Sequence, residues 1–244
     1  MNNKSFACLT YHVIGDNASQ YSVTESQLRA HLALLKNSGY VINDFEQLEL
    51  AIQSGQRIPA RRVIITVDDG HESSMRAADL LHQYACSATF FLTRDRCLQE
   101  TNFLRESQIR ELRKCGFSVG AHGTSHRKLT FMPAGACKAE LAQSKQWLED
   151  VLGEPVHYMA APGGYVNRRV LRLAYECGYT LVGTCREWMN SIDRISLPST
   201  INRVNVRRHF SPDTVRHAAE GAPAFYFRRQ LRSTALALPK LLFR

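Results

Sequence analysis

Strand-like and helix-like segments alternate along almost the whole of this chain, and that alternation narrows the folds open to it. Residues 6–12, 62–67, 88–93, 117–122, 158–161, 179–185 and 204–207 read as strands, being short, apolar and often β-branched. Between them, residues 24–39, 44–54, 73–84, 106–115, 133–152 and 168–177 read as helices, and another begins near Pro212. Strand followed by helix, repeated about seven times, implies βα units, a parallel sheet and helices outside it. A closed or nearly closed βα barrel is the first expectation, and a doubly wound open sheet the second. At 244 residues, 44% of them hydrophobic, the chain can bury the core of a single barrel domain.

Local signals mark where these segments begin and end. Thr24-Glu25-Ser26-Gln27 has the form of a capping box, and Asp44 can cap the next helix. Pro133 suits a first turn, while Gly39, Gly116, Gly153 and Gly178 each follow a helical stretch and can end it.

Composition excludes several classes of function. The seven cysteines are scattered singly, without a CxxC pair, so free thiols are expected rather than a disulfide framework or a cysteine zinc site. The net charge is +9, yet no nucleic-acid motif accompanies it, and no nucleic-acid partner is expected. Residues 1–221 are read as the barrel and 222–244 as a basic, apolar tail. In the tail Arg228, Arg229, Arg232 and Lys240 are interleaved with Phe225, Phe227, Leu231, Leu236, Leu241 and Phe243, with no acidic residue. Such a segment suits peripheral contact with an anionic membrane, and it equally suits a last helix packed on the barrel, which Pro239 would interrupt. No run of about 18 apolar residues is present, and the start lacks a basic-then-apolar leader, so a cytoplasmic protein is expected.

The chemistry-bearing residues fall just after expected strands, where βα barrels build their active sites. His12 ends the first strand. Asp68-Asp69-Gly70-His71 follows the strand at 62–67, His122 ends that at 117–122, and Ala161-Pro162-Gly163-Gly164 ends that at 158–161. Two adjacent carboxylates at a strand end call for a cation beside them, although Asp-Asp-Gly also suits a capped turn. His122 and His126 lie four residues apart and would face the same way on a helical turn. Two neutral imidazoles and one carboxylate make a three-ligand set with an open position, as in a catalytic zinc site. Alone, the same pair also reads as one loop histidine and one cap histidine.

Thr66-Val67-Asp68-Asp69-Gly70, His122-Gly123-Thr124-Ser125-His126 and Ala161-Pro162-Gly163-Gly164 resemble, in this order, the successive motifs of the polysaccharide deacetylase family (NodB-like domain, carbohydrate esterase family 4). Tyr11-His12, Gly39-Tyr40 and Ala88-Thr89-Phe90-Phe91 are similar to its bacterial envelope-polysaccharide branch. The resemblance implies a distorted (β/α)7 barrel and metal-dependent hydrolysis of the N-acetyl group of an amino sugar. The sugar would belong to a cell-envelope glycan or its lipid- or nucleotide-linked precursor. By motif position Asp69, His122 and His126 would hold one divalent metal, zinc or else Mn, Co or Ni. Asp68 would be the general base, and the Gly163 N–H would bind the oxyanion. Tyr165 and His71 would line the substrate.

The chain departs from the family pattern at three positions. Gly123 stands where Ser or Thr is usual. Ala160 stands where the family has an arginine that holds the base. No Leu-x-x-His follows Trp188, so the usual general acid is missing. Arg203, ahead of the last expected strand, is the candidate to hold Asp68, because its planar donors can grip both carboxylate oxygens. Among His12, His71 and His209, His12 is the candidate acid because it sits on the rim with the other site residues. A catalytically weakened glycan-binding barrel and a metal-dependent phosphoesterase are the competing readings.

Overall fold

The protein is described here by a computed structural model covering residues 5–55 and 61–237. In chain order its elements are β1 (Ser5–Tyr11), β2 (Val13–Ile14), β3 (Ser22–Val23), α1 (Glu25–Asn37), β4 (Val41–Asn43), α2 (Phe45–Gln53), β5 (Arg62–Val67) and α3 (Ser74–Gln83). Next come β6 (Thr89–Leu92), α4 (Arg94–Gln99), α5 (Glu106–Lys114), β7 (Ser118–Ala121), α6 (Ala134–Leu152), β8 (Tyr158–Ala160), α7 (Arg168–Glu176) and β9 (Leu181–Gly183). The last are β10 (Asn190–Ser191), β11 (Ser199–Ile201), β12 (Val204–Asn205), α8 (Pro212–Glu220) and α9 (Pro223–Ala237).

The helices start where local chemistry tells them to. Thr24 and Gln27 form the expected capping box on α1, Asp44 accepts from the Gln47 N–H ahead of α2, and Asn167 caps α7. Gly153 ends α6 in the left-handed conformation that glycine adopts without strain.

The strands form one nearly closed, mainly parallel barrel. β1 pairs with β5, and the sheet runs on through β6, β7, β8 and β9 to β11. β12 returns to pair with β1. A single stretch of chain, 199–205, thus pairs first with β9 and then with β1, and Asn202 and Arg203 lie at the changeover. The open doubly wound sheet is thereby excluded. β4 fills in beside the first half of β5, and β10 runs antiparallel to β1.

Alternation along the strands sorts side chains to two sides. Phe6, Cys8, Ile64, Phe91, Tyr158, Ala160, Leu181 and Ile201 make one buried cluster, joined by Phe45 and Leu48 of α2. That cluster fills the barrel, and α2 lies across the end where the strands begin. Full burial of one such side chain contributes roughly 1.5–3 kcal/mol. Leu9, Val63, Ile65 and Val67 point the other way and pack under the surrounding helices.

Several short elements were not expected: the β2–β3 ribbon, β4, α4, β10 and β11. The tail forms α9, as its alternative reading had it. Tyr226 is buried and Phe225 packs on the same core. Arg229 forms a two-pronged ion pair with Glu187 and lies over the Phe210 and Phe225 rings, so its charge is already engaged. Membrane contact through the tail therefore gains no support, although Phe227 is exposed. Pro239, Lys240, Leu241 and Phe243 lie outside the described residues. Among the described residues no helix is long and apolar enough to cross a membrane, and all seven cysteines are free.

Candidate active site

The C-terminal ends of β1, β5, β7 and β8 bring the chemistry-bearing residues together. The Asp68 N–H donates to the Tyr11 carbonyl, which extends the β1–β5 ladder by one residue and turns the Asp68 side chain into the barrel. Asp69 and Gly70 then both take positive φ, at 78° and 84°. Asp tolerates that region better than most residues but is still strained there. The tight turn separates two neighbouring carboxylates, leaving Asp68 buried and Asp69 half-buried at the rim. A side chain at Gly70 would meet Cys97 Sγ at 3.1 Å and Leu92 Cδ2 at 3.2 Å.

Arg203 is fully buried, and its guanidinium grips Asp68 with both prongs. Nη1 donates to Oδ1 at 2.7 Å and Nη2 to Oδ2 at 2.9 Å. The remaining donors are also used: Nη1 reaches Thr66 Oγ1 at 3.1 Å and Nε the Thr184 carbonyl at 3.1 Å. Gly183 makes room, since a Cβ there would lie 2.8 Å from Arg203 Nε. Ala160, where the family pattern has arginine, pairs with Gly183 across β8 and β9. The positive charge beside Asp68 thus enters from the β11–β12 changeover instead of from β8. Burial alone would raise the Asp68 carboxyl, but Arg203 and then His122 outweigh it, and the group titrates below the usual carboxylate range. Asp68 is therefore ionised near neutral pH.

His122 continues β7, its N–H donating to the Leu92 carbonyl. Its Nδ1 lies 2.9 Å from the Ala160 carbonyl, which can only accept, so Nδ1 carries the proton and Nε2 presents a lone pair. Burial pushes the imidazole down to about 4 against the pull of Asp68 and Asp69, so it is neutral at pH 7. Asp69 Oδ1 lies 3.5 Å from His122 Nε2 and 2.9 Å from His126 Nε2. Asp69 too is held below the usual carboxylate range, with His126 and His122 outweighing burial.

The three ligand atoms of Asp69, His122 and His126 lie within 4.8 Å of one another. One carboxylate oxygen and two imidazole nitrogens, with the His122 tautomer fixed, fit a divalent first-row metal ion.

Two residues that organise this cluster escaped the sequence reading. Glu140 of α6 is buried and accepts from the Thr124 N–H, the Ser125 N–H and the Ser125 hydroxyl. It pins the turn that carries His126, whose φ is 57°. Its sequence signal is a glutamate on the apolar stripe of α6, beside Cys137, Leu141 and Ser144. Gly123 replaces the usual Ser or Thr because its φ is 76° and a Cβ would sit 3.3 Å from Pro162. Arg96 of α4 stands beside the ligands, 3.5 Å from Asp69 Oδ1 and 3.4 Å from His126 Nδ1.

The remaining expected residues lie around this centre. Gly163 takes a left-handed conformation in the turn after Pro162, which itself packs against Gly123. Tyr165 is exposed, its ring 5.0 Å from Lys128 Nζ. His12 is half-buried, its ring 5.0 Å from Tyr21, and its Nδ1 has no hydrogen-bond partner. It lies within electrostatic reach of both Asp68 and Asp69. His71 is committed locally: Nδ1 accepts from the Ser73 N–H, and the ring packs edge-on against Phe103. His209 is exposed, as expected.

Comparison with known proteins bears on the family and the fold. The chain is 30% identical to a Bacillus cereus peptidoglycan-N-acetylglucosamine deacetylase, over 52% of its own length and 61% of that protein. It spans about three fifths of the length of two of the curated relatives it matches and less than half of four others. Its fold is that of a Streptococcus pyogenes deacetylase, PplD, solved with acetate. The TM-score is 0.79 at 24% identity, covering 88% of this chain and 98% of that one. IcaB from Ammonifex degensii shares the fold at TM-score 0.78 and 22% identity, covering 90% of this chain and 97% of that one. The family described as polysaccharide deacetylase matches residues 55–182, the stretch that carries Asp68, Asp69, His122, His126 and Pro162, and this chain belongs to that family.

Proposed function

We propose that this chain is a metal-dependent N-deacetylase of an amino sugar in a cell-envelope glycan or its lipid- or nucleotide-linked precursor. The observation that carries the reading is a buried carboxylate, Asp68, gripped by Arg203 and lying next to the Asp69–His122–His126 cluster. The Arg203 grip supplies the cation that Ala160 cannot, which supports an active barrel over a catalytically weakened glycan-binding one. Asp69, His122 and His126 form the only ligand cluster among the described residues, which speaks against a two-metal phosphoesterase. A glycan substrate is also in keeping with the Bacillus cereus relative, whose name specifies peptidoglycan N-acetylglucosamine.

A divalent ion held by Asp69, His122 and His126 would supply Lewis-acid activation of water and of the acetyl carbonyl. Asp68 takes the proton from the attacking water, and Arg203 keeps its oxygens aimed while it does so. The Gly163 N–H donates to the oxyanion that develops on the acetyl oxygen. His12 delivers a proton to the leaving amine, which would otherwise depart poorly. Tyr165 offers an aromatic face to a sugar ring, and His71 borders the substrate. The products are acetate and a free amino sugar.

Acetate release from N-acetylglucosamine oligomers tests the reading. Chelation should abolish release, and one of zinc, manganese, cobalt or nickel should restore it. Asp68→Asn should keep the metal and lower turnover by about 10²-fold or more. Release that survives chelation, or near-normal turnover in Asp68→Asn, would overturn it.

A further inference from the structure

The opposite end of the barrel carries a second feature that deacetylation does not use. Arg62 opens β5 and shares its inward-facing side with Ile64, Thr66 and Asp68. Six residues of strand put it about 20 Å from Asp68. It is only 6% exposed, and its Nε and Nη1 have no hydrogen-bond partner. No acidic group among the described residues offsets its charge, and burial pulls the guanidinium below its ordinary value. A buried, unpaired guanidinium is costly, and side chains of this kind are normally paired.

Arg62 lines a cleft of about 480 Å³. That volume lies in the range of small-molecule sites, roughly 300–1,000 Å³, and far exceeds one water. Arg61 stands on the same wall, with one guanidinium nitrogen on the Ser38 carbonyl. Opposite them lie Ala222 and Pro223, where the 15-residue α9 begins. Ala222 has no side-chain oxygen to cap that helix, Pro223 has no N–H, and the Phe225 and Tyr226 N–H groups donate to the Ala222 carbonyl, which leaves the Ala224 N–H as the free donor at this positive end. The acid on the lining, Glu220, sits 3.6 Å from Arg216 and near Tyr40.

We propose that this cleft binds the phosphoryl group of a small phosphate monoester, held by Arg62 and Arg61 against the N-terminus of α9. Two guanidinium groups and a helix N-terminus favour an anion over a cation. A tetrahedral oxyanion can take donors from both walls at once, and the volume leaves room for the group it is esterified to.

Thermal shift and calorimetry with inorganic phosphate, phenyl phosphate and acetate, at matched ionic strength, test the site. Both phosphates should raise the melting temperature of the unaltered protein, and acetate should not. The tighter of the two probes shows whether a monoester or the free ion is the better ligand. Arg62→Met should weaken phosphate binding at least about tenfold. Should that variant fail to fold, Ala222→Asp serves in its place. It puts a favourable cap on α9, so the ligand-free protein holds its stability, but it fills the anion position with a carboxylate. Neither residue belongs to the proposed deacetylase centre, so acetate release should be unchanged in both variants. Phosphate responses as large in these variants as in the parent would overturn the proposal, as would acetate binding as tight as phosphate, or no response at ~10 mM phosphate.

Discussion

Asp68 and Arg203 form a buried pair, so their worth depends on geometry more than on charge. The guanidinium makes four hydrogen bonds to three different residues. Arg203→Lys keeps the charge but loses the fork. With Asp68 as the proposed base, turnover should fall by roughly 10²-fold, because the carboxylate loses its fixed aim. The pH profile should move as well. Arg203 is the main influence holding the Asp68 carboxyl low against burial. A single ammonium holds it less well, so the carboxyl rises and the acid limb of kcat/KM moves to higher pH. A profile of unchanged shape and position would mean that Arg203 serves only to fill space. At this scale much was legible in the sequence. Asp68-Asp69 and the His122–His126 pair each have an ordinary structural reading alone, and it is their joint occurrence after successive strands that made the cluster legible. The Ala160 carbonyl that orients His122 was not legible, because a backbone acceptor leaves no mark in composition.

The elements place these groups, and α6 does so through one side chain. Glu140 holds the Thr124–Ser125 turn by three donors. Glu140→Gln removes the charge that strengthens the two N–H bonds and puts an amide donor where Oε1 accepts from the Ser125 hydroxyl, so the turn loosens and His126 drifts. Metal affinity, followed by titration, should drop about 10- to 100-fold, the usual cost of losing an outer-shell partner. An unchanged affinity would mean that the turn holds itself. At the other end of the barrel, Asp44 caps α2 while buried. Burial raises its carboxyl to about 6, against a Gln47 N–H that lowers it. The folded protein then binds a proton more tightly than the unfolded chain, whose Asp titrates near 3.8. Stability from this group is full below about pH 4 and is lost as pH rises through about 6. Asp44→Asn caps equally well and removes the charge. At pH 7 it should stabilise the protein by roughly 2 kcal/mol, and at pH 4 it should change little. Denaturant melts at both pH values would show it, and an equal effect at both would refute the raised carboxyl. Long elements such as α6 were readable because 19 residues carry a clear period and stop signals. β10 and β11 have two and three residues, too few to show one, and only tertiary pairing makes them strands.

Taken as a whole, the molecule is a parallel barrel whose seam is closed by the stretch that delivers Arg203. The seam could not be read from the sequence, since pairing of 199–201 with β9 and of 204–205 with β1 depends on where both partners already lie. The same arrangement links metal, site and stability. Asp69 and His126 occupy left-handed backbone, and His122 and Asp69 bring a buried imidazole and a carboxylate to one point on separate strands. An ion bound at Asp69, His122 and His126 would tie together the ends of β5 and β7 and the turn that Glu140 of α6 holds, none of which is preformed in the unfolded chain. It therefore binds the folded state in preference and stabilises it by mass action. At a free metal concentration about 100 times Kd the gain is roughly 2.7 kcal/mol, which for a chain of this size raises the melting temperature by roughly 5–10 °C. Chelation should remove that increment. His122→Ala should lose the response to metal, while Asp68→Asn, altered at a residue outside the proposed ligand set, should keep it. Calorimetric melts of the three proteins with and without zinc would test this. A shift of equal size in His122→Ala would place the ion elsewhere on the molecule.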